Sequence, residues 1–309
     1  MMTEKDVQLE GVRLHYAEGP KNGPALVLIP GQSMPWESYQ KAIPLLEGRF
    51  HVFAIDVRGH GKSEHTPGRY TFATCGADLV QFLKQVVGTP AICSGNSSGG
   101  LIALWAAAQQ PSLVRAVLLE DPPLFSAEWP RMRDQTWVHQ FFAHVVNTLP
   151  DLAKFFGTLK VPTQGSKKLI SAPRPLTWLL GWAIARRLRQ FPGQPVDLSW
   201  LPLQMRLFVR GLSEYDVDFT RACVDGRMCD MNHAGCLGAV TCPVTLVQAA
   251  SFLDANGLLV SAMSDADVEQ AQSILPGLVV ERLNAPHVVH IAKPKYFATL
   301  VDQLATRSQ

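Results

Sequence analysis

The chain has 309 residues and 33.9 kDa, enough for one large domain or two smaller ones. Apolar residues make up 47% and charged residues 17%, which excludes an intrinsically disordered chain. Formal net charge is only +2, so no basic excess argues for nucleic acid, and no apolar run is long enough for a transmembrane segment. The opening residues, Met1 to Asp6, are charged and polar and lack the apolar segment of a secretory leader, so a cytoplasmic protein is expected. The six cysteines (Cys75, Cys93, Cys223, Cys229, Cys236, Cys242) are expected to be thiols rather than a disulfide framework.

Val7 to Ala17 alternates loosely and predicts an N-terminal hairpin turning near Glu10-Gly11. Ala25 to Ile29, His51 to Ile55, Ala91 to Cys93 and Ala116 to Leu119 are short apolar runs of the kind that form buried parallel strands. Between them, Phe72 to Val87 places Leu79, Phe82, Leu83 and Val86 at helical spacing, and Leu101 to Gln109 is Ala-rich. The pattern stops at Asp121-Pro122-Pro123. It resumes with a strand at Val244 to Val247, a helix near Asp265 to Ile274, a strand at Leu278 to Leu283 and a helix at Pro294 to Leu304. Such alternation predicts an α/β protein with a mostly parallel sheet flanked by helices.

The interval 123–240 shows no strand of the buried kind. It holds five of the seven tryptophans, and its 14 basic against 9 acidic side chains give a formal +5. It reads as a helical cap inserted into a catalytic domain made of residues 1–122 and 241–309.

Gly95-Asn96-Ser97-Ser98-Gly99 is G-x-S-x-G between a buried strand and a helix. That context suits a nucleophile elbow, which needs a tight strand-to-helix turn to hold a hydroxyl clear of the backbone. The plainer alternative is a Gly/Ser turn capping the next helix. A serine nucleophile needs a base, and His287 and His290 follow the last predicted strand. His287 comes first and is favoured. His290 is expected to begin the final helix or pack beside the site.

With these pieces, the chain resembles the α/β-hydrolase fold superfamily. The matching residues are Pro30-Gly31-Gln32, Asp56-Val57-Arg58-Gly59-His60-Gly61-Lys62-Ser63, the elbow, and His287 and His290 followed by Pro294 and Phe297. The resemblance implies an oxyanion hole made by the backbone N–H groups of Gln32 and Ser98, with Pro30 standing where the family often has histidine. Such donors are worth roughly 2.7–4 kcal/mol each in the transition state. No cofactor and no metal is implied.

The acid of the triad has three candidates. Family members often place it after the penultimate strand, which here points to Asp254, although no glycine marks that turn. Asp121, at the end of the Ala116 to Leu119 strand, is the favoured choice. Its placement is similar to that in zearalenone lactone hydrolases, which also carry Ser-Ser-Gly at the elbow. Glu120 is its neighbour, and side-chain alternation lets only one of the two face the serine.

Three other stretches have plainer readings. Gly59-His60-Gly61-Lys62-Ser63 lacks the earlier glycine of a phosphate loop, Asp56 standing in its place. Cys229, His233, Cys236 and Cys242 fit no standard zinc spacing and read as buried thiols. The stretch Pro175 to Arg189, with Trp178 and Trp182 four residues apart, reads as a cap helix over the pocket rather than a membrane-interface helix. Its tryptophans suggest a substrate with an apolar or aromatic part.

The expected activity is hydrolysis of a small-molecule carboxylic ester or lactone through an acyl-enzyme. A carbon–carbon bond hydrolase of the same fold and a non-catalytic ligand receptor are the alternatives. The sequence sets no oligomeric state, a homodimer being one arrangement to test.

Overall fold

The computed structural model describes residues 1–149, 151–163, 166–170 and 173–308. Its centre is an eight-stranded sheet of β1 (Thr3–Leu9), β2 (Val12–Glu18), β3 (Ala25–Ile29), β4 (His51–Ile55), β5 (Ala91–Asn96), β6 (Val114–Glu120), β9 (Val244–Gln248) and β10 (Val279–Arg282). The spatial order is β1-β2-β4-β3-β5-β6-β9-β10. The β1/β2 and β2/β4 pairs are antiparallel and the rest are parallel. The hairpin pairs Leu9 with Val12, and Gly11 takes φ 77° in the turn, a conformation open to glycine.

Both faces of the sheet are covered. Val27, Ile29, Cys93, Val117 and Leu119 point into one core with the helices Phe72–Phe82 and Ser98–Gln109. Their sequence neighbours Leu26, Leu28, Ile92, Ala116 and Leu118 point into the other, with Tyr39, Phe297 and Val301 of the helix Pro294–Arg307. This two-residue alternation is why the central strands read as unbroken apolar runs: each face has its own core.

Local signals set the element ends. Thr71 accepts the Thr74 N–H at 3.0 Å and caps the first of these helices, which ends after a π-turn at Gly88 (φ 70°). Ser264 and Asp267 form a reciprocal capping box at the start of the helix Asp265–Ile274. Strand β5 runs three residues beyond its apolar stretch, because Ser94, Gly95 and Asn96 stay paired with Leu118, Leu119 and Glu120 of β6. That extension carries the chain directly into the G-x-S-x-G turn.

Between β6 and β9 lie the helices Arg131–Gln135, Trp137–Thr148, Leu152–Thr158, Arg174–Gln190, Leu203–Ser213, Val217–Val224 and His233–Ala239. A two-stranded hairpin, β7 (Val161–Thr163) and β8 (Ser166–Ile170), also forms here, apart from the main sheet. Its strands are short and partly polar, so they carry no buried-strand signal.

Most tryptophans of the 123–240 interval do not line the pocket, contrary to expectation. Trp137 lines the main pocket, but Trp178, Trp182 and Trp200 are 70%, 48% and 58% exposed. The helix Arg174–Gln190 turns Gly181 and Ile184 inward instead. It carries apolar residues on both sides, so periodicity does not tell which side packs.

Candidate active site

Strands β3, β5, β6 and β9 end on one edge of the sheet, and the turns leaving them converge there, as the parallel topology requires. Ser97 occupies the turn after β5 with φ 53° and ψ −123°, a strained conformation for a residue with a side chain. The flanking glycines make the turn feasible. A Cβ at Gly95 would lie 2.1 Å from the Gly99 carbonyl oxygen, and one at Gly99 would lie 2.4 Å from that of Ile29. The Ser97 N–H donates to the Glu120 carbonyl at 2.9 Å, which fixes the elbow to the neighbouring strand.

The 30–33 loop lies against the elbow: a Cβ at Gly31 would be 3.1 Å from Ser97 Cβ. Ser98 begins the helix Ser98–Gln109, so its N–H belongs to the helix N-terminus and has no intrahelical partner. Gln32, Ser98, Ser97, Asp121 and His287 all line one pocket. The Gln32 side chain is anchored by the interval between β6 and β9. Its Nε2 donates to Thr220 Oγ1 at 2.9 Å, and Thr220 also pairs with the Tyr215 hydroxyl at 2.8 Å.

Asp121 sits just past β6 with φ 46° and is buried. Its N–H donates to the Val247 carbonyl at 2.8 Å, and its Oδ1 accepts the Ala249 N–H at 3.0 Å. Its Oδ2 lies 2.6 Å from His287 Nδ1. That hydrogen bond leaves Nε2 as the ring nitrogen available for proton transfer. The His287 side chain is 45% exposed, opening into the pocket. Partial desolvation at the pocket wall works against a charge on the ring, but the hydrogen bond and charge of Asp121, with Glu120 behind it, outweigh this and raise its pKa above 6.5. No hydrogen bond joins Ser97 to His287 among the described residues.

The other two carboxylates are engaged elsewhere. The Glu120 carboxylate points to the opposite face of the sheet and binds His290, whose ring stacks on Tyr39 with centroids 3.8 Å apart. Asp254 accepts the N–H groups of Asn256 and Leu258 at 2.8 and 2.9 Å, holding its own turn, and is not part of the pocket wall. Of the cysteine-histidine group, His233 is committed: its Nδ1 accepts the Phe125 N–H at 2.7 Å, and burial lowers its pKa to about 4.

Asn96 and Thr220 line the pocket and were missed by sequence reasoning; Asn96 bridges two loops. Its Nδ2 donates at 3.2 Å to both the Glu120 and His287 carbonyls, tying the elbow to the histidine loop. The only signal was its position inside the G-x-S-x-G motif. The pocket has a volume of about 810 Å3 and an apolar wall that includes Trp137, Phe141, Phe142, Phe208, Met132 and Met228.

The sequence model described as the alpha/beta hydrolase fold matches residues 24–225. The chain belongs to this family. Among curated relatives, it is 35% identical over 121 residues to N-formylmaleamate deformylase of Pseudomonas putida, covering 38% of this chain and 45% of that protein. It is 37% identical over 94 residues to the magnesium-chelatase 30 kDa subunit of Rhodobacter capsulatus, covering 30% and 33%. The matched segments thus span less than half of either relative. Among solved structures, the enol-lactonase from Burkholderia xenovorans superposes with a TM-score of 0.64 at 17% identity, covering 98% of this chain and 100% of that one. A carboxylesterase from Bacillus subtilis gives 0.64 at 19%, covering 99% and 92%. At such identities the likeness is one of fold. Among the described residues, no helix is long and apolar enough to cross a membrane.

Proposed function

We propose that this chain is a serine hydrolase cleaving a carboxylic ester or lactone with an apolar or aromatic part through an acyl-enzyme. The observation that carries the reading is the 2.6 Å Asp121–His287 hydrogen bond in the same apolar pocket as a strained Ser97 elbow. In this mechanism His287 Nε2 takes the Ser97 hydroxyl proton as Oγ attacks the substrate carbonyl. The oxyanion is held by the N–H groups of Gln32 and Ser98. His287 protonates the leaving alkoxide, then takes a proton from the water that attacks the acyl-enzyme and returns it to Ser97 Oγ as the acid departs. Asp121 fixes the ring tautomer and stabilises the imidazolium.

Residues 123–240 act as a cap over a catalytic domain of residues 1–122 and 241–309, contributing Trp137, Phe141, Phe142 and Phe208 to the pocket. That wall favours an apolar acyl or alcohol group. The setting is cytoplasmic, which the six free thiols suit. The test is a p-nitrophenyl ester chain-length series on the parent protein and on Ser97→Ala. Turnover that disappears in Ser97→Ala while the unfolding midpoint is kept supports the reading. Turnover close to the parent's rejects Ser97 as nucleophile. A parent protein that turns over no ester of the series rejects the esterase reading.

A further inference from the structure

The helix Arg174–Gln190 presents an aromatic and basic stripe to solvent. Its packed side is narrow: a Cβ at Gly181 would lie 3.3 Å from Ala153 Cβ of the Leu152–Thr158 helix, and Ile184 is buried beside it. Trp178 and Trp182, one turn apart, face outward at 70% and 48% exposure, and Leu176 and Leu179 are also exposed. Arg186 follows one turn later, its guanidinium 5.6 Å from the centre of the Trp182 ring. Arg174 and Arg189 are exposed too, and among the described residues none of these three arginines is in an ion pair. From Leu152 to Val196 the sequence holds eight Lys or Arg and no Asp or Glu.

Isolated apolar side chains on a surface are ordinary, but two tryptophans on one helix face with arginines beside them are not. Indole rings settle at the boundary between acyl chains and headgroups, and guanidinium groups pair with lipid phosphates. A second copy of the chain suits this face less well, because two-fold pairing would set an acid-free basic segment against itself. We propose that this helix docks on an anionic lipid surface, lying in the headgroup plane with Trp178 and Trp182 inserted. A single helix separates the docking face from the pocket wall: Phe156 of the Leu152–Thr158 helix packs on Phe208, with ring centroids 6.1 Å apart, and Phe208 lines the pocket. The inference does not depend on the reaction proposed for Ser97.

The test is co-sedimentation of the full chain with large unilamellar vesicles of phosphatidylcholine, with and without phosphatidylglycerol, alongside tryptophan emission. The expected result is binding to the anionic vesicles, a blue shift, and weakening by salt. Trp178→Ser with Trp182→Ser should weaken binding roughly tenfold or more. Arg186→Gln with Arg189→Gln should weaken it roughly fivefold per site. Both double variants should keep the parent's unfolding midpoint. No binding by the parent, equal binding to neutral vesicles, or undiminished binding by both double variants overturns the proposal. A dimer dispersed by the tryptophan changes, without vesicle binding, overturns it in favour of a second copy.

Discussion

The Glu120 carboxylate accepts both the backbone N–H of His290, at 2.9 Å, and its ring Nδ1, at 2.8 Å, and both side chains are buried. Because the Glu120 carbonyl also accepts the Ser97 N–H, one residue links the elbow to the helix that follows the His287 loop. Removing one partner of a buried pair leaves the other unsatisfied, typically at about 3–5 kcal/mol. Glu120→Ala is therefore expected to lose stability on that scale in urea denaturation. Glu120→Gln should lose less, since the amide oxygen can still accept the His290 N–H. A Glu120→Ala protein as stable as the parent would refute this role.

Asp121→Asn should leave the fold intact and lower kcat by roughly 10⁴-fold, because the amide would no longer hold His287 in the tautomer that leaves Nε2 free. Asp254→Asn should change kcat little, since Asp254 only holds the turn from Asp254 to Leu258. Steady-state kinetics on one activated ester compares the two. If the Asp254 change does the damage, the acid comes from after β9.

In the proposed mechanism the base works only when neutral, so kcat/KM should fall on the acid side with a midpoint above 6.5, the ordinary histidine value from which His287 is raised. Asp121→Asn should move any residual midpoint downward. A parent midpoint below 6.5 contradicts the role assigned to Asp121.

Stability should follow the opposite sign at two other histidines. Burial lowers the pKa of both His60 and His233 to about 4 from 6.5. Between those values the unfolded chain binds protons that the folded chain refuses, so both groups destabilise the fold as pH falls from 6.5 towards 4. His287, with its raised pKa, works the other way: its contribution is fully present below 6.5 and is lost as pH rises through its folded value. Urea midpoints taken from neutral pH down to about 4 should fall, and His233→Gln should remove about one proton from that slope. An unchanged slope in His233→Gln would count against the assignment.

Gly99→Ala places a methyl group 2.4 Å from the Ile29 carbonyl oxygen, where backbone must move. A loss of more than about 3 kcal/mol, or failure to accumulate as folded protein, is expected. A soluble Gly99→Ala protein with the parent's unfolding midpoint would mean that the elbow can open without loss.

Much of this was legible because the signals were local. Strands β3 and β4 begin and end where the apolar runs do, since both faces of the central sheet are buried and the next residue, Pro30 or Asp56, breaks the pattern. Ser97 and His287 stand out by a motif and by their position after strands, and both line the pocket. Asn96, Thr220 and the Glu120–His290 pair were not legible: each acts through partners distant in sequence, and an Asn or Thr carries no periodic mark. The tryptophans misled for a related reason. Hydrophobicity shows that a helix contains apolar residues, not which of its faces finds a neighbour.

The contact between Gln32 and Thr220 joins two jobs that are often treated separately. The Val217–Val224 helix contributes Thr220 and Cys223 to the pocket wall, while Thr220 also steadies the loop whose N–H is assigned to the oxyanion. Gly211, in the Leu203–Ser213 helix, presses on the same loop, a Cβ there lying 1.8 Å from the Ser33 carbonyl oxygen. Reshaping this segment to admit a different substrate would therefore shift the turnover rate as well. Changes made at Phe141 or Phe142, which line the pocket from another helix, are the cleaner route to altered selectivity.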